Sequence, residues 1–194
     1  PGSISALNQV VVSSMTGNLI INANTMCVST GVTPIGKILS ASAKPQANVK
    51  VDLTLGGTAV ANVNTGTDGS YSFTTTPPTH RITPINDTDL KKGVTVADLS
   101  RIRRHNLQIT LLTDPYALVA ADINKNGVIN VQDVSLLNRV LINLNTSFTG
   151  NTSWRFLPKG LDISSNPLKV DWPSYIDLSA SGLGYSNLDF VAVK

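Results

Sequence analysis

The spacing of apolar residues changes twice along this chain, and that change limits the possible folds more than any other feature. Apolar residues first occupy every second position, as in a strand with one buried face: Val49, Val51, Leu53 and Leu55. From about residue 96 they recur at helical spacing, and strand-like runs return after residue 147. The sequence therefore predicts a multidomain α+β protein.

Turn signals and prolines divide the chain into three regions. Residues 1–83 are predicted to form an N-terminal β-sandwich, with hairpin turns at residues 56–57 and 67–69, where glycine permits a positive φ. Residues 84–146 are predicted to form a central pair of loop-helix units. Residues 147–194 are predicted to form a C-terminal β-tail that packs on the other two parts.

Composition and charge exclude several protein classes. Charged residues make up only 14% of the chain and every acidic residue is Asp, which argues against coiled coils. No apolar run approaches the length of a membrane span. The 15 basic residues are mostly scattered, so no nucleic-acid surface is expected. The single cysteine, Cys27, excludes an internal disulfide and a zinc finger and is predicted to be a small buried apolar residue.

The two segments of helical spacing look like copies of one unit. A shift of 35 positions places Asp98 on Asp133, and apolar residues then fall on apolar residues across both segments. The predicted helices run from Val96 to about Leu107 and from Val131 to about Leu144. Two copies make a pair and not a solenoid.

The loop before the second helix carries oxygen atoms at the spacing of a calcium site. Loop positions one, three, five and twelve bear side-chain oxygens, and position seven can offer its backbone carbonyl. Gly127 at position six permits the sharp turn, and Ile129 is expected to point into the core. Zinc is disfavoured because no His or Cys lies nearby. The alternative is an ordinary Asn-Gly turn beside a helix-end acid. The predicted ligands of one Ca²⁺ are Asp122, Asn124, Asn126, Val128 and Asp133.

The equivalent loop before the first helix departs from this pattern. Lys91 occupies position five, where an oxygen is expected, and the glycine stands one place late. Two interpretations remain open. A different loop path assembles a second calcium site, or the loop is vestigial and Lys91 replaces the cation. The predicted ligands of that second ion are Asp87, Asp89, Thr95 and Asp98.

Residues 84–146 resemble the dockerin type I module. The resemblance implies two calcium loops, each followed by a helix, and loops that close with Asp, as at Asp98 and Asp133. Dockerins that bind cohesins often carry Ser or Thr at loop positions ten and eleven. Here those positions hold residues 96–97 (Val-Ala) and 131–132 (Val-Gln), so cohesin binding is the alternative and not the leading hypothesis.

The N-terminal region resembles carboxypeptidase-regulatory-like or Cna-B-like β-sandwiches. The resemblance rests on residues 36–38 (Gly-Lys-Ile), 45–55 and 67–73 (Thr-Asp-Gly-Ser-Tyr-Ser-Phe). A sandwich, a dockerin-like pair and a β-tail in this order are similar to stalk or C-terminal regions of large bacterial surface proteins, some of which are exported by type IX secretion. This implies a secreted or cell-surface location, with neighbouring domains of a larger protein as partners.

The leading hypothesis is a non-catalytic, calcium-binding structural or adhesion module of such a surface protein. No catalytic constellation is recognisable, and His105 is expected on a solvated basic helix face. A carbohydrate-binding module is a further alternative to the cohesin-binding dockerin. Its sugar-stacking platform would come from the aromatic residues near the C-terminus: Trp154, Trp172, Tyr175 and Tyr185.

Overall fold

A computed structural model of the chain describes residues 33–74, 80–88, 90–148, 150–178 and 185–194, together with two short strands at 3–5 and 9–11. Asp89 and Cys27 lie outside these residues, as do the prolines at 77–78. The mixture of sheets and helices predicted from the sequence is confirmed. A small antiparallel hairpin comes first, formed by β1 (Ser3–Ser5) and β2 (Gln9–Val11).

The other strands form two four-stranded sheets. The first sheet has the order β6-β3-β10-β8 and contains β3 (Ile35–Ser40), β6 (Ser70–Ser72), β8 (Arg155–Pro158) and β10 (Phe190–Val193). The second sheet has the order β5-β4-β7-β9 and contains β4 (Lys50–Leu55), β5 (Thr58–Asn64), β7 (Arg81–Ile85) and β9 (Ile176–Asp177).

Strands from the C-terminal region complete both sheets. Strand β10 lies between β3, which it pairs in parallel, and β8, which it pairs in antiparallel. Strand β9 extends the second sheet by pairing with β7. The two sheets share one buried cluster, which we call the sheet core; it includes Ile38, Val51, Ile82, Phe156, Leu188 and Phe190. Burial of these apolar side chains therefore joins strands that are more than a hundred residues apart in sequence.

Three helices lie in the chain between β7 and β8: α1 (Val96–Asn106), α2 (Pro115–Ala121) and α3 (Val131–Leu141). Their own apolar cluster, the helical core, contains Leu99, Ile102, Ala121, Ile123, Val134 and Leu137. Among the described residues, no helix has the length and apolar character needed to cross a membrane.

The predicted repeat is visible in the helix boundaries. Helices α1 and α3 each have 11 residues, begin 35 positions apart and open with a capping box. Each is followed by a residue with positive φ, Gln108 and Asn143, which also stand 35 positions apart. The predicted helices were too long, because both end before this turn and leave Leu107 and Leu144 exposed.

Helix α2 was not predicted from the sequence. It has only seven residues, which is too short for a helical period to be recognised. Pro115 occupies its first turn and the Asp114 side chain accepts a hydrogen bond from the Tyr116 N–H (3.2 Å). Val119 of α2 packs with Leu157 and Val191 of the first sheet, so this helix connects the helical core to the sheets.

Close contact between β3 and the chain before β10 can be tested at Gly36. A Cβ atom there would collide with the Leu188 carbonyl oxygen and lie 2.6 Å from the Tyr71 hydroxyl oxygen. We expect Gly36→Ala to lower the free energy of unfolding by about 2 kcal/mol or more, measured by urea denaturation. Gly160→Ala is the control, since its Cβ meets no atom within 4 Å. Equal stability of the two variants would contradict this packing.

Candidate metal centre

The loop between α2 and α3, residues 122–133, is held at both ends by helices. Asp122 is the residue at which α2 ends, and Asn130 is the N-cap of α3. The Asn130 side chain accepts a hydrogen bond from the Gln132 N–H (2.7 Å). Ile129 packs against the helical core, as predicted. We call this segment the second loop, and the equivalent segment 87–98 the first loop.

The carboxylate of Asp133 closes the second loop from the first turn of α3. One oxygen accepts hydrogen bonds from the N–H groups of Ile123 (2.8 Å) and Asn124 (3.2 Å), at the beginning of the loop. The other oxygen accepts from the Asn130 N–H (2.9 Å), near its end. Asp133 is 0% exposed. This single side chain thus joins the two ends of the loop.

The carboxylate of Asp122 organises the middle of the same loop. Its two oxygens accept hydrogen bonds from the N–H groups of Asn126 (3.0 Å) and Gly127 (2.9 Å). Gly127 has a φ of +83°, a value at which a residue with a side chain would be strained. Asp122 is only 2% exposed. The predicted glycine turn therefore brings backbone donors onto a buried carboxylate.

The two predicted amide ligands belong to the same network. The side-chain oxygen of Asn124 accepts from the Asn126 N–H (3.1 Å), and that of Asn126 accepts from the Val128 N–H (3.0 Å). The structure thus brings all five predicted residues into one compact loop. The side-chain oxygens that accept these backbone hydrogen bonds are the same side-chain oxygens that are proposed to bind the ion.

The acceptor capacity of this loop is not exhausted by its hydrogen bonds. An ionised carboxylate offers roughly four lone-pair sites. The bonds described above use two on Asp122 and three on Asp133. Each amide oxygen has two lone pairs and accepts one bond from the loop. Oxygen lone pairs therefore remain for a hard cation such as Ca²⁺.

The first loop shares the capping geometry but is not closed in the same way. Asp98 accepts hydrogen bonds from the Thr95 N–H and hydroxyl (both 2.9 Å), and one of its oxygens lies 3.7 Å from an Arg101 nitrogen. Its side chain is 38% exposed, in contrast to the fully buried Asp133. Asp87 accepts instead from the Ser153 N–H (2.8 Å). The predicted ligand Asp89 lies outside the described residues.

Within the described part of the chain, no group of three or more His, Cys, Asp or Glu side chains is placed to hold a metal ion. The second loop accordingly depends on two carboxylates supplemented by amide and backbone oxygens. This finding does not cover the first loop, because one of its three acidic residues, Asp89, lies outside the described residues.

Two residues that sequence reasoning missed hold the second loop from outside. The side-chain nitrogen of Asn151 donates to the Ile123 carbonyl (2.8 Å), and the Arg155 guanidinium donates to the Asp122 carbonyl. Burial lowers the pKa of Arg155, while the negative charges of Asp122 and Asp133 act in the opposite direction. These residues follow their partners in the loop by 28 and 33 positions, and no local spacing marks them as partners.

The two tryptophans near the C-terminus each contact other side chains of the protein. Trp154 stacks on Phe156, with ring centroids 6.5 Å apart, and the Lys194 ammonium lies 4.8 Å from the Trp154 ring centroid. Trp172 lies beside the Lys169 ammonium (5.1 Å). Trp154 and Trp172 also line the same cavity, and the sugar-stacking alternative stays a prediction.

Comparisons with known proteins found no relative: no family model, no curated protein and no solved structure matches the chain. The assignment of the site thus rests on the geometry of the second loop and on its residue pattern.

The contrast between the two loops predicts different costs for the same substitution. Asp133→Ala leaves three N–H groups without their acceptor, so we expect a loss of about 3 kcal/mol or more in the free energy of unfolding. Asp98→Ala removes one capping interaction and should cost about 1 kcal/mol. Urea denaturation in excess chelator measures both values without any contribution from a bound ion. Equal losses would show that Asp133 does not close its loop.

Proposed function

We propose that this chain is a non-catalytic calcium-binding module of a larger extracellular surface protein, and that Ca²⁺ stabilises its fold. The observation that carries the proposal is the second loop, in which two buried carboxylates stand at positions one and twelve. Five backbone N–H groups and the nearby Arg155 guanidinium already stabilise these two buried charges, and one divalent ion would complete their compensation. The resemblance to dockerin type I modules supports the same assignment.

Calcium suits this loop better than other common metal ions. Its ligand atoms are carboxylate, amide and backbone oxygens, which is the ligand set that Ca²⁺ accepts in six- to eightfold coordination. Mg²⁺ requires a more regular octahedron and retains its water more strongly. Zn²⁺ prefers nitrogen and sulfur ligands, which this loop does not contribute.

The role of the ion is thermodynamic. An ion that binds only the folded state adds RT ln(1 + [Ca²⁺]/Kd), or about 2.7 kcal/mol at a hundredfold excess over Kd. Extracellular modules bind calcium with Kd values of roughly 10⁻⁴ to 10⁻³ M, so this excess corresponds to about 10 to 100 mM calcium. A module of this kind would stiffen a surface stalk or hold neighbouring domains in a fixed relation.

A catalytic role is not part of the proposal. The His105 imidazole accepts a hydrogen bond from the Leu112 N–H (3.0 Å), which occupies one ring nitrogen, and His80 is buried. Neither arrangement supplies a base directed at a substrate.

Thermal unfolding with calcium and with chelator tests the proposal. We expect calcium to raise the melting temperature of the wild-type protein by several degrees, since a stabilisation of 1 kcal/mol shifts Tm by roughly 2–4 °C at this size. Asp122→Asn should lower the calcium-dependent rise to the smaller contribution of the first loop, because it removes one of the two charges that balance the ion in the second loop.

Asp162→Asn is the matched control, since Asp162 hydrogen-bonds within its own turn to Ser164 and makes no contact with the second loop. This variant should retain the full calcium response. A wild-type melting temperature that does not change with chelator would refute the proposal.

The first loop is proposed as a second calcium site of lower affinity. Calorimetry should then give two ions per chain for the wild type and one for Asp87→Asn. A stoichiometry of one in both proteins would instead support a vestigial first loop.

A cohesin-like docking function is the second candidate, and a symmetric set of exposed apolar residues favours it. Three pairs of apolar residues stand 35 positions apart around the ends of α1 and α3, and each member is more than half exposed: Val96 and Val131, Leu107 and Ile142, Ile109 and Leu144. Equivalent exposed residues in both copies of a repeat would present two similar surfaces to one kind of partner.

Pull-down with a panel of cohesin modules tests this candidate. If a cohesin is captured, the double variant Val96→Asp/Val131→Asp should abolish capture without changing the melting temperature, because both side chains lie on the surface. The variant Val60→Asp, at an exposed residue of β5, is the control. Failure of every cohesin to bind would remove this candidate.

A further inference from the structure

Residues 151–155, which we call the clamp segment, contact both loops of the helical region. Asn151 donates to the Ile123 carbonyl (2.8 Å) and accepts from the Arg155 guanidinium (3.2 Å), which itself donates to the Asp122 carbonyl. The Ser153 N–H donates to the Asp87 carboxylate (2.8 Å). One short segment thus holds the first residue of each loop.

The clamp segment leads directly into the sheet core. Arg155 is the first residue of β8 and pairs with Val193 of β10, and β10 pairs in turn with β3. Phe156, the next residue of β8, is buried in the sheet core. The Arg155 side chain therefore links the backbone of the second loop to the edge strand of the first sheet.

Arg155 contacts the main chain of a residue whose side chain is a proposed calcium ligand. Its guanidinium contacts the carbonyl of loop position one and not the carboxylate that would bind the ion. The carboxylate oxygens of Asp122 therefore bond only within the loop among the described contacts, while Arg155 holds the main chain of the same residue. Outer contacts of this type orient metal ligands and affect metal affinity.

We propose that Asn151 and Arg155 couple the second loop to β8, so that calcium in the loop orders the first sheet as well as the helices. The inference depends on the proposed calcium site and names the residues through which that site acts. Because coupling is reciprocal, the factor by which calcium tightens the clamp must equal the factor by which the clamp strengthens calcium binding.

Trp154 provides a local reporter of this coupling. It lies between Asn151 and Arg155 in the chain, and its ring stacks on Phe156 of β8. The chain has two tryptophans, so Trp172→Phe leaves Trp154 as the single emitter. The reference protein also carries Asp87→Asn, so that calorimetry measures calcium binding to the second loop, and Trp154 fluorescence measures the response of β8. We expect both signals to titrate with the same midpoint.

The clamp is then removed in the same background with Asn151→Ala/Arg155→Gln. We expect calcium still to bind by calorimetry, about 10- to 100-fold more weakly. The calcium-dependent change in Trp154 fluorescence should be lost even at saturating calcium. Arg155→Lys alone keeps a cationic donor and should retain the fluorescence response, which a general structural role of Arg155 does not predict.

Arg81→Gln is the matched control for loss of an arginine from the sheets. Arg81 of β7 makes a two-pronged contact with Asp177 of β9 (2.7 and 3.0 Å), in the second sheet. This variant should keep both the calcium affinity and the Trp154 response. If the clamp double variant does not fold, as judged by circular dichroism, Asn151→Ala alone replaces it and should weaken both signals.

The outcomes separate the coupling from the calcium site itself. Heat of binding without a Trp154 response in the reference protein overturns the coupling and leaves the proposed function intact. A full calcium-dependent change in Trp154 fluorescence in the Asn151→Ala/Arg155→Gln variant also overturns the coupling. Absence of binding heat in the reference protein refutes the proposed function and, with it, the coupling.

Discussion

A single buried carboxylate, that of Asp133, holds the second loop in its closed form. It accepts backbone hydrogen bonds from both ends of the loop and belongs to the capping box of α3. The start of a helix and the closure of a loop thus depend on the same two oxygens. A buried charge in this position requires compensation, and this requirement connects the fold of the helical region to the proposed ion.

The two copies of the repeat show which features of the loop belong to helix capping and which belong to closure. Thr95 with Asp98 and Asn130 with Asp133 form equivalent capping boxes, so this feature is common to both. Within the described residues, Asp133 also reaches the N–H groups at the beginning of its loop, whereas the Thr88 N–H of the first loop donates to the Asn86 side chain (3.3 Å). At loop positions three and five the second loop has the amides Asn124 and Asn126, whereas the first loop has Asp89 and Lys91. Closure of the loop therefore depends on the sequence of the loop and not on the helix that comes after it.

Local patterns in the sequence predicted the mixture of strands and helices and the repeat of α1 and α3, because strand period and helix period are properties of neighbouring residues. They did not predict α2, which is too short to show a period. They also did not reveal Asn151 and Arg155, since these contact the loop only through the pairing of β8 with β10 and β3. Residues that are brought together only by the pairing of distant strands leave no pattern at a fixed spacing in the sequence.

Crystallography of the protein grown in calcium, with anomalous data that identify the element, tests the central claim most directly. The account predicts a calcium ion in the second loop, about 2.3–2.6 Å from oxygens of Asp122 and Asp133. A water molecule at ordinary hydrogen-bond distances of about 2.8 Å, with no anomalous signal, would contradict it.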